Sequence, residues 1–89
     1  MNFFIFVTMK NFEEFHTSIL NNIEFLRKSR GHSLELVGKY LGLSKTGYRK
    51  IEKGESQISL KQLHTLSLIY EVSLQKLLFE NLYQEVTLK

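Results

Sequence analysis

The 89-residue sequence contains no cysteine and no proline, and its five glycines all lie between positions 31 and 54. The absence of cysteine excludes disulfide bonds, thiolate metal sites and cysteine nucleophiles. The absence of proline, with glycine confined to one central window, allows long uninterrupted helices on both sides of that window. Hydrophobic residues make up 43% of the chain, which is enough for the modest core of a single small domain.

The apolar run near the N-terminus is too short to cross a membrane. It comprises the five residues Phe3-Phe4-Ile5-Phe6-Val7, whereas a spanning helix needs about 20. No positively charged segment precedes the run, so it does not read as a signal peptide, and we expect a cytoplasmic protein without a membrane partner. Residues 1–10 are interpreted as an apolar N-terminal arm that favours an extended strand. The arm either pairs with a second subunit or is loosely ordered, and Met9 is an alternative start.

The net charge of +3 is unevenly distributed along the chain. Between Arg27 and Lys53 there are eight basic residues and two acidic ones, a local charge of +6, while residues 1–26 sum to −2 and residues 54–89 to −1. A compact basic block is typical of a nucleic-acid-binding surface. From charge alone, an ordinary solvated face is an equally good interpretation.

Apolar residues recur every three or four positions in five segments and predict an all-α fold of five helices. The first helix carries a stripe from Phe12 to Leu26 and runs to about Arg30. Serine caps are predicted for the others at Ser33, Ser44, Ser59 and Ser73. The expected inward-facing residues of these four helices are Val37, Tyr40 and Leu41; Tyr48 and Ile51; Leu60, Leu63, Leu66, Ile69 and Tyr70; and Leu74, Leu77, Leu78, Leu82 and Val86.

The second and third helices have the form of a helix-turn-helix at residues 33–53. Gly42-Leu43 is the tight turn between them, and in such a motif the first helix braces the second, which enters the DNA major groove. The groove-facing positions that remain after the inward residues are assigned are Lys45, Thr46, Gly47, Arg49 and Lys50. Lysine and arginine can donate to guanine O6 and N7, threonine can contact a thymine methyl, and a helix N-terminus can bind a phosphate.

The pattern over residues 23–79 resembles the helix-turn-helix domain of the lambda-repressor and Cro type, the XRE family. The matching residues are Ile23, Leu26-Arg27-Lys28, Gly31, Ser33 to Gly38, Leu41 to Ser44, Tyr48, Ile51 to Gly54, Ser59-Leu60, Leu63, Val72 to Leu74 and Leu77-Leu78. The resemblance implies a five-helix lambda-repressor-like domain that binds duplex DNA sequence-specifically, usually as a homodimer on a two-fold operator. It further implies that Lys45, Thr46 and Lys50 read bases, and that Ser33, Ser44 and the segment after Gly54 lie near phosphates.

These considerations give a set of expected site residues. The base-contacting residues are expected to be Lys45, Thr46, Arg49 and Lys50. The backbone-contacting residues are expected to be Ser33, Ser44, Gly47, Lys53, Ser56 and Gln57. The resemblance also implies an ion pair between Arg27 and Glu52. The helix dipole agrees with this pair, because a glutamate near the C-terminus of a helix is unfavourable unless it has a cationic partner. A dimerisation helix is predicted at residues 74–88, with Leu78, Leu82, Tyr83 and Val86 at the interface.

The chain departs from the family pattern at several positions. Leu34 occupies the place of a usual glutamine, Gly38 that of a common alanine, and Gly47 lies inside the recognition helix. Glu55 and Ile58 stand where a basic residue and a proline are frequent. These departures bear on DNA affinity more than on the fold.

No constellation of catalytic or metal-ligating residues is recognisable, so we expect neither an enzyme nor a cofactor. His16, His32 and His64 lie far apart on different predicted elements, without the i, i+4 spacing of a metal site. The domain is expected to span residues 11–89. The alternative to a DNA-binding regulator is an antitoxin-like or adaptor module with weak or secondary DNA binding. Such a module would use the apolar ends of the chain to bind a protein partner.

Overall fold

The computed structural model describes residues 11–83, which contain five α-helices and no β-strand. The helices are α1 (Phe12–Ser29), α2 (Leu34–Tyr40), α3 (Lys45–Glu52), α4 (Leu60–Tyr70) and α5 (Leu74–Phe79). The prediction of an all-α fold with five helices is confirmed. None of these helices is long and apolar enough to cross a membrane. The predicted N-terminal arm at residues 1–10 lies outside the described residues.

Each of the five helices begins at a polar residue whose side chain accepts a hydrogen bond from a backbone N–H of the first turn. The capping residues are Asn11, Ser33, Ser44, Ser59 and Ser73. At α4 the cap is reciprocal, because the Gln62 side chain also accepts from the Ser59 backbone N–H at 2.8 Å. The four predicted serine caps are thus confirmed, and local sequence sets where these helices start.

The core lies where α1, α3, α4 and α5 meet, with α2 packed on α3. Its most deeply buried apolar side chains are Ile23, Val37, Tyr48, Leu66, Tyr70 and Leu77. Phe12, Tyr40 and Leu60 are exposed, so the prediction that these side chains face the core is wrong. Phe12 and Leu60 are the first residues of their helices and Tyr40 is the last of α2. Helical spacing identifies an apolar face, but it does not show how far the neighbouring helices extend along that face.

The C-terminal helix is much shorter than predicted. Instead of running from residue 74 to 88, α5 ends at Phe79, and Glu80 takes an extended conformation with ψ 156°. Asn22 of α1, which is fully buried, donates from Nδ2 to the carbonyl oxygens of Leu77 at 2.9 Å and Glu80 at 2.6 Å. Its Oδ1 accepts from the Leu82 backbone N–H at 2.9 Å. The prediction of one helix over 74–88 is therefore wrong, because a side chain from α1 takes up the backbone groups that continuation would use.

Candidate nucleic-acid interface

Helix α3 presents two chemically distinct faces. Tyr48 and Ile51 are buried and hold the helix against the core. The opposite face is exposed and carries the four residues for which base contacts are predicted, Lys45, Thr46, Arg49 and Lys50. No acidic residue lies in the first turn of α3. The structure therefore brings three cations and a threonine together on one solvent-facing surface of a short helix.

The polar groups at the starts of α2 and α3 already have defined roles in the helix caps. Ser33 Oγ accepts from the Leu36 N–H and Ser44 Oγ from the Gly47 N–H, both at 3.0 Å. Both serines are exposed, so each hydroxyl can still donate its hydrogen outward. Gly47 is half-buried behind the Ser44 cap. A serine hydroxyl held by its cap is pre-oriented at the positive end of a helix, where a phosphate oxygen is favoured.

The segment after α3 folds back onto the end of that helix. The backbone N–H groups of Glu55 and Ser56 donate to the Lys50 carbonyl at 2.8 Å and 3.1 Å. Lys53 and Gln57 are exposed and Ser56 is half-buried. These hydrogen bonds hold the segment next to the basic face of α3, close to the residues with which it is predicted to share phosphate contacts.

The structure brings together Arg27 of α1 and Glu52 of α3, for which an ion pair is predicted. The Arg27 Nη2 and Nε atoms donate to the two Glu52 carboxylate oxygens at 2.9 Å and 3.0 Å. Tyr48 adds a hydroxyl donor to Glu52 Oε2 at 2.6 Å, and Arg27 Nη1 donates to the His32 carbonyl at 3.0 Å. Glu52 therefore links α3 to α1, and Arg27 in turn links this pair to the turn before α2.

This buried network changes the protonation behaviour of its members. The hydrogen bond with Glu52 raises the pKa of Arg27 above its usual value, so the guanidinium stays charged. Burial raises the pKa of the Tyr48 hydroxyl, and its hydrogen bond to Glu52 raises it further. The phenol is therefore a permanent donor at neutral pH. The role of Tyr48 as a hydrogen-bond donor was missed, although its position four residues before Glu52 places both on one face of α3.

A second polar network joins the end of α1 to the end of α4, and nothing in the sequence pattern indicated it. Arg30 Nη2 donates to the Tyr70 carbonyl at 3.0 Å, and the Arg30 guanidinium carbon lies 5.6 Å from the centre of the Tyr70 ring. His32 Nδ1 and the Tyr70 hydroxyl are hydrogen-bonded at 3.0 Å. Burial raises the pKa of Tyr70 to about 12. Arg30 belongs to the basic block by sequence, but here it also has a structural role.

The ion pair also refines the charge count of the basic block. Arg27 and Glu52 neutralise each other in the interior, which leaves seven basic residues and one acidic residue, Glu35, at the surface between positions 28 and 53. Lys28 Nζ lies 3.1 Å from Glu24 Oε2 on the exposed side of α1. The remaining surplus includes Lys39 of α2 and the cations of α3, so the positive surface is centred on the helix-turn-helix.

The residues predicted for a dimer interface are placed differently from the expectation. Leu82 is only 8% exposed and belongs to the core of its own chain, whereas it is predicted to lie at a dimer interface. Leu78 is partly buried against the same core, and Tyr83 is half-buried. Val86 lies outside the described residues. The helix is interrupted at Glu80 and Asn81, where Asn22 bonds the backbone, so Leu82 packs inward and does not continue the stripe of α5.

Residues 23–77, more than half of the chain, match a family model described as helix-turn-helix, of the XRE and lambda-repressor type. The chain belongs to this family. The fold is accordingly lambda-repressor-like, and the protein is a DNA-binding transcription regulator of the XRE type. The helix-turn-helix family is a DNA-binding one and typically non-enzymatic. Comparisons with curated proteins and with solved structures gave no significant match.

Proposed function

We propose that this XRE-type helix-turn-helix protein binds a pseudo-palindromic operator in duplex DNA as a homodimer. The two copies of α3 enter successive major grooves, about 34 Å apart. The observation that carries the proposal is the exposed face of α3, on which Lys45, Arg49 and Lys50 stand together while Tyr48 and Ile51 anchor the opposite face. Whether transcription is repressed or activated depends on where the operator lies relative to a promoter.

The proposed contacts divide into two groups with different consequences for specificity. Bases are read by Lys45, Thr46, Arg49 and Lys50. Phosphates are contacted by Ser33, Ser44, Gly47, Lys53, Ser56 and Gln57. The capped N-termini of α2 and α3 support the second group, because their dipoles favour phosphate oxygens. Phosphate contacts set the register on the duplex, and base contacts select the sequence.

The proposal is tested by selecting duplexes from a random pool with the purified protein at near-physiological salt, followed by sequencing. We expect an enriched palindrome whose half-site spacing corresponds to one helical turn or a multiple of it. Binding that weakens with salt but enriches no sequence would contradict a specific operator, since phosphate contacts alone produce that behaviour.

Within that experiment, Lys50→Ala is predicted to relax the preference at one or two base pairs in each half-site, at a cost of about 1–3 kcal/mol. The matched control is Lys76→Ala, which removes an exposed lysine of α5 away from the proposed surface. The control should keep the wild-type sequence preference. An unchanged preference in Lys50→Ala would contradict the assignment of that side chain to base reading.

The alternative function is an antitoxin-like or adaptor module. It is supported by apolar side chains that the described residues leave uncovered, among them Phe12, Leu60 and Leu68. Exposed apolar groups that recur on one helix are a feature of protein-binding surfaces. If the random pool yields no enriched sequence, this alternative becomes the leading function.

A further inference from the structure

Helix α4 carries an exposed apolar stripe that its own chain does not cover. Leu60 is 71% exposed and Leu68 is 64% exposed, and His64, also exposed, lies midway between them. Because residues four positions apart lie on one face of a helix, the three side chains form a single row. The inner face of α4 packs its own apolar residues, chiefly Leu63, Leu66 and Tyr70, into the core, so the stripe is a second, outward-facing surface.

The charges at the two ends of α4 are the reverse of what an isolated helix favours. Lys61 lies in the first turn, where the helix dipole is positive, and Glu71 is the C-terminal cap, where the dipole is negative. Within residues 11–83 neither side chain forms an ion pair, and α4 has no acidic residue in its first turn and no basic residue in its last. Glu71 also adopts the left-handed backbone conformation with φ 55°, which is energetically unfavourable for residues other than glycine and asparagine.

We propose that α4 is the dimer interface and that its occupant is α4 of a second copy of this chain, running antiparallel across a two-fold axis at His64. In this arrangement Leu60 of each subunit meets Leu68 of the other, because both lie four residues, about 6 Å, from the axis. An isologous contact of this kind requires a self-complementary surface, and the Leu60–His64–Leu68 row has that symmetry. The inference rests on the proposed homodimer and identifies the surface that forms it.

The antiparallel arrangement also accounts for the charges at the helix ends. Glu71 lies seven residues from the axis and Lys61 three, so Glu71 of one subunit comes to the positive N-terminal end of the partner's helix, about 6 Å along the helix from the partner's Lys61. The long lysine side chain can span that offset. The pair is formed twice, once on each side of the axis. Charges that are unfavourable within one helix thus become favourable between two.

The expected dimer is a weak one. Helix α4 has 11 residues and is therefore about 16 Å long. Two such helices bury less than the roughly 1,600 Å² of a standard interface, so we expect dissociation at roughly micromolar concentration. The operator would then favour the dimer by binding both subunits at once.

The first test uses the absence of cysteine from the natural sequence. His64→Cys places one thiol next to the proposed axis, and Gln75→Cys places one at an exposed position on α5 as the control. With a short bismaleimide at about 100 μM protein, well above the roughly micromolar dissociation constant expected for an interface of this size, we expect covalent dimers of His64→Cys at about fivefold the yield of the control or more. Equal yields would overturn the α4 interface, and a higher yield from Gln75→Cys would move the interface to α5.

The second test exchanges the two charges and is read by sedimentation equilibrium. Lys61→Glu and Glu71→Lys should each weaken dimerisation by tenfold or more, and the double variant should restore it to within a few-fold of the wild type. Failure of the double variant to recover would overturn the pairing of these residues. Circular dichroism confirms that each variant is folded, which is expected because both positions are exposed.

Binding to the duplex enriched by selection separates this inference from the proposed function. Suppose that two copies bind the palindrome, but His64→Cys crosslinks no better than Gln75→Cys and the single charge variants dimerise as strongly as the wild type. The homodimer then stands and the α4 interface is overturned. If one copy binds, both the homodimer and its interface fail. If the double variant of Lys61→Glu and Glu71→Lys dimerises as strongly as the wild type but has lost DNA binding, Lys61 contacts phosphate in addition to the partner helix, and the interface stands.

Discussion

At Gly38, the approach of two stretches of backbone decides which side chain is tolerated. A methyl group added there would lie 2.9 Å from the Leu43 carbonyl oxygen and 3.0 Å from that of Ser44. The Leu43 N–H also donates to the Gly38 carbonyl at 2.7 Å. The resemblance to the XRE family leads one to expect alanine at this position, but here the turn of the helix-turn-helix lies too close to α2. Gly38 is thus fixed by tertiary contact, despite its low helix propensity.

We predict that Gly38→Ala lowers the free energy of unfolding by about 1 kcal/mol, because overpacking against backbone outweighs the gain in helix propensity. Gly47→Ala is the matched control: its methyl group would meet only the Ser44 and Leu43 side chains, at 3.3 Å and 3.7 Å. The control should be neutral or stabilising. Urea denaturation of both variants provides the measurement, and a stabilised Gly38→Ala would contradict the tight approach of α2 and the turn.

The Arg27–Glu52 pair allows a comparison between a buried and an exposed ion pair on the same helix. Arg27→Met leaves the buried Glu52 carboxylate without its cation, and we predict a loss of about 3–5 kcal/mol in unfolding free energy. Lys28→Met removes the neighbouring, solvent-exposed pair with Glu24 and should cost less than about 1 kcal/mol. Equal losses in thermal or urea denaturation would show that the Glu52 carboxylate finds another partner or becomes hydrated.

At the scale of the helices, the boundary of α5 depends on a residue more than fifty positions away. The local sequence from Ser73 onward supports a helix well beyond Phe79, since no glycine or proline interrupts it. Asn22 nevertheless binds the carbonyl groups of Leu77 and Glu80, and Ser18, one turn earlier on α1, donates to Asn81 Oδ1 at 2.9 Å. Two polar residues on the buried face of α1 thus set the path of the chain after α5.

We predict that Asn22→Leu lowers the free energy of unfolding by about 3 kcal/mol or more, because three backbone groups lose their partner, two of them in buried hydrogen bonds. Asn21→Leu makes the same change at the neighbouring, half-buried position and should cost less than about 1 kcal/mol. Thermal denaturation compares the two. If Asn22→Leu were as stable as its control, the backbone groups of Leu77, Glu80 and Leu82 that Asn22 binds would have found other hydrogen bonds, for instance by continuing the helix.

For the molecule as a whole, the burial of Tyr70 makes the free energy of unfolding decrease as the pH becomes alkaline. Its folded-state pKa is raised from 10 to about 12, so the folded chain holds the phenolic proton more tightly than the unfolded chain does. The resulting stabilisation is complete below about pH 10 and is lost as pH rises from about 10 through about 12. It amounts to roughly 3 kcal/mol.

Urea denaturation at a series of pH values between 8 and 12 tests this dependence. In Tyr70→Phe the decline in stability across that range should be shallower than in the wild type, because one titrating group has been removed. Tyr40→Phe, which alters an exposed tyrosine, should retain the wild-type decline. Identical profiles for all three proteins would exclude Tyr70 as a source of the pH dependence.

The helical fold, the positions at which the helices begin and the family could all be predicted from the amino-acid sequence. Serine caps and three-to-four-residue apolar spacing are local signals, because capping and amphipathicity involve residues within one or two turns of each other. The basic block and the turn at Gly42 are likewise readable along the chain. The same local pattern led to the assignment of Lys45, Thr46, Arg49 and Lys50 to base reading, and that assignment remains a prediction.

The end of α5, the inward position of Leu82 and the exposure of Leu60 depend on how the helices pack together. The same packing brings together Arg30, His32 and Tyr70 from two distant segments. None of these features follows from spacing, because each depends on which helix lies opposite and how far it reaches. A buried polar side chain such as Asn22 must satisfy its hydrogen bonds wherever partners exist, and those partners are fixed only when α1 and α5 pack together.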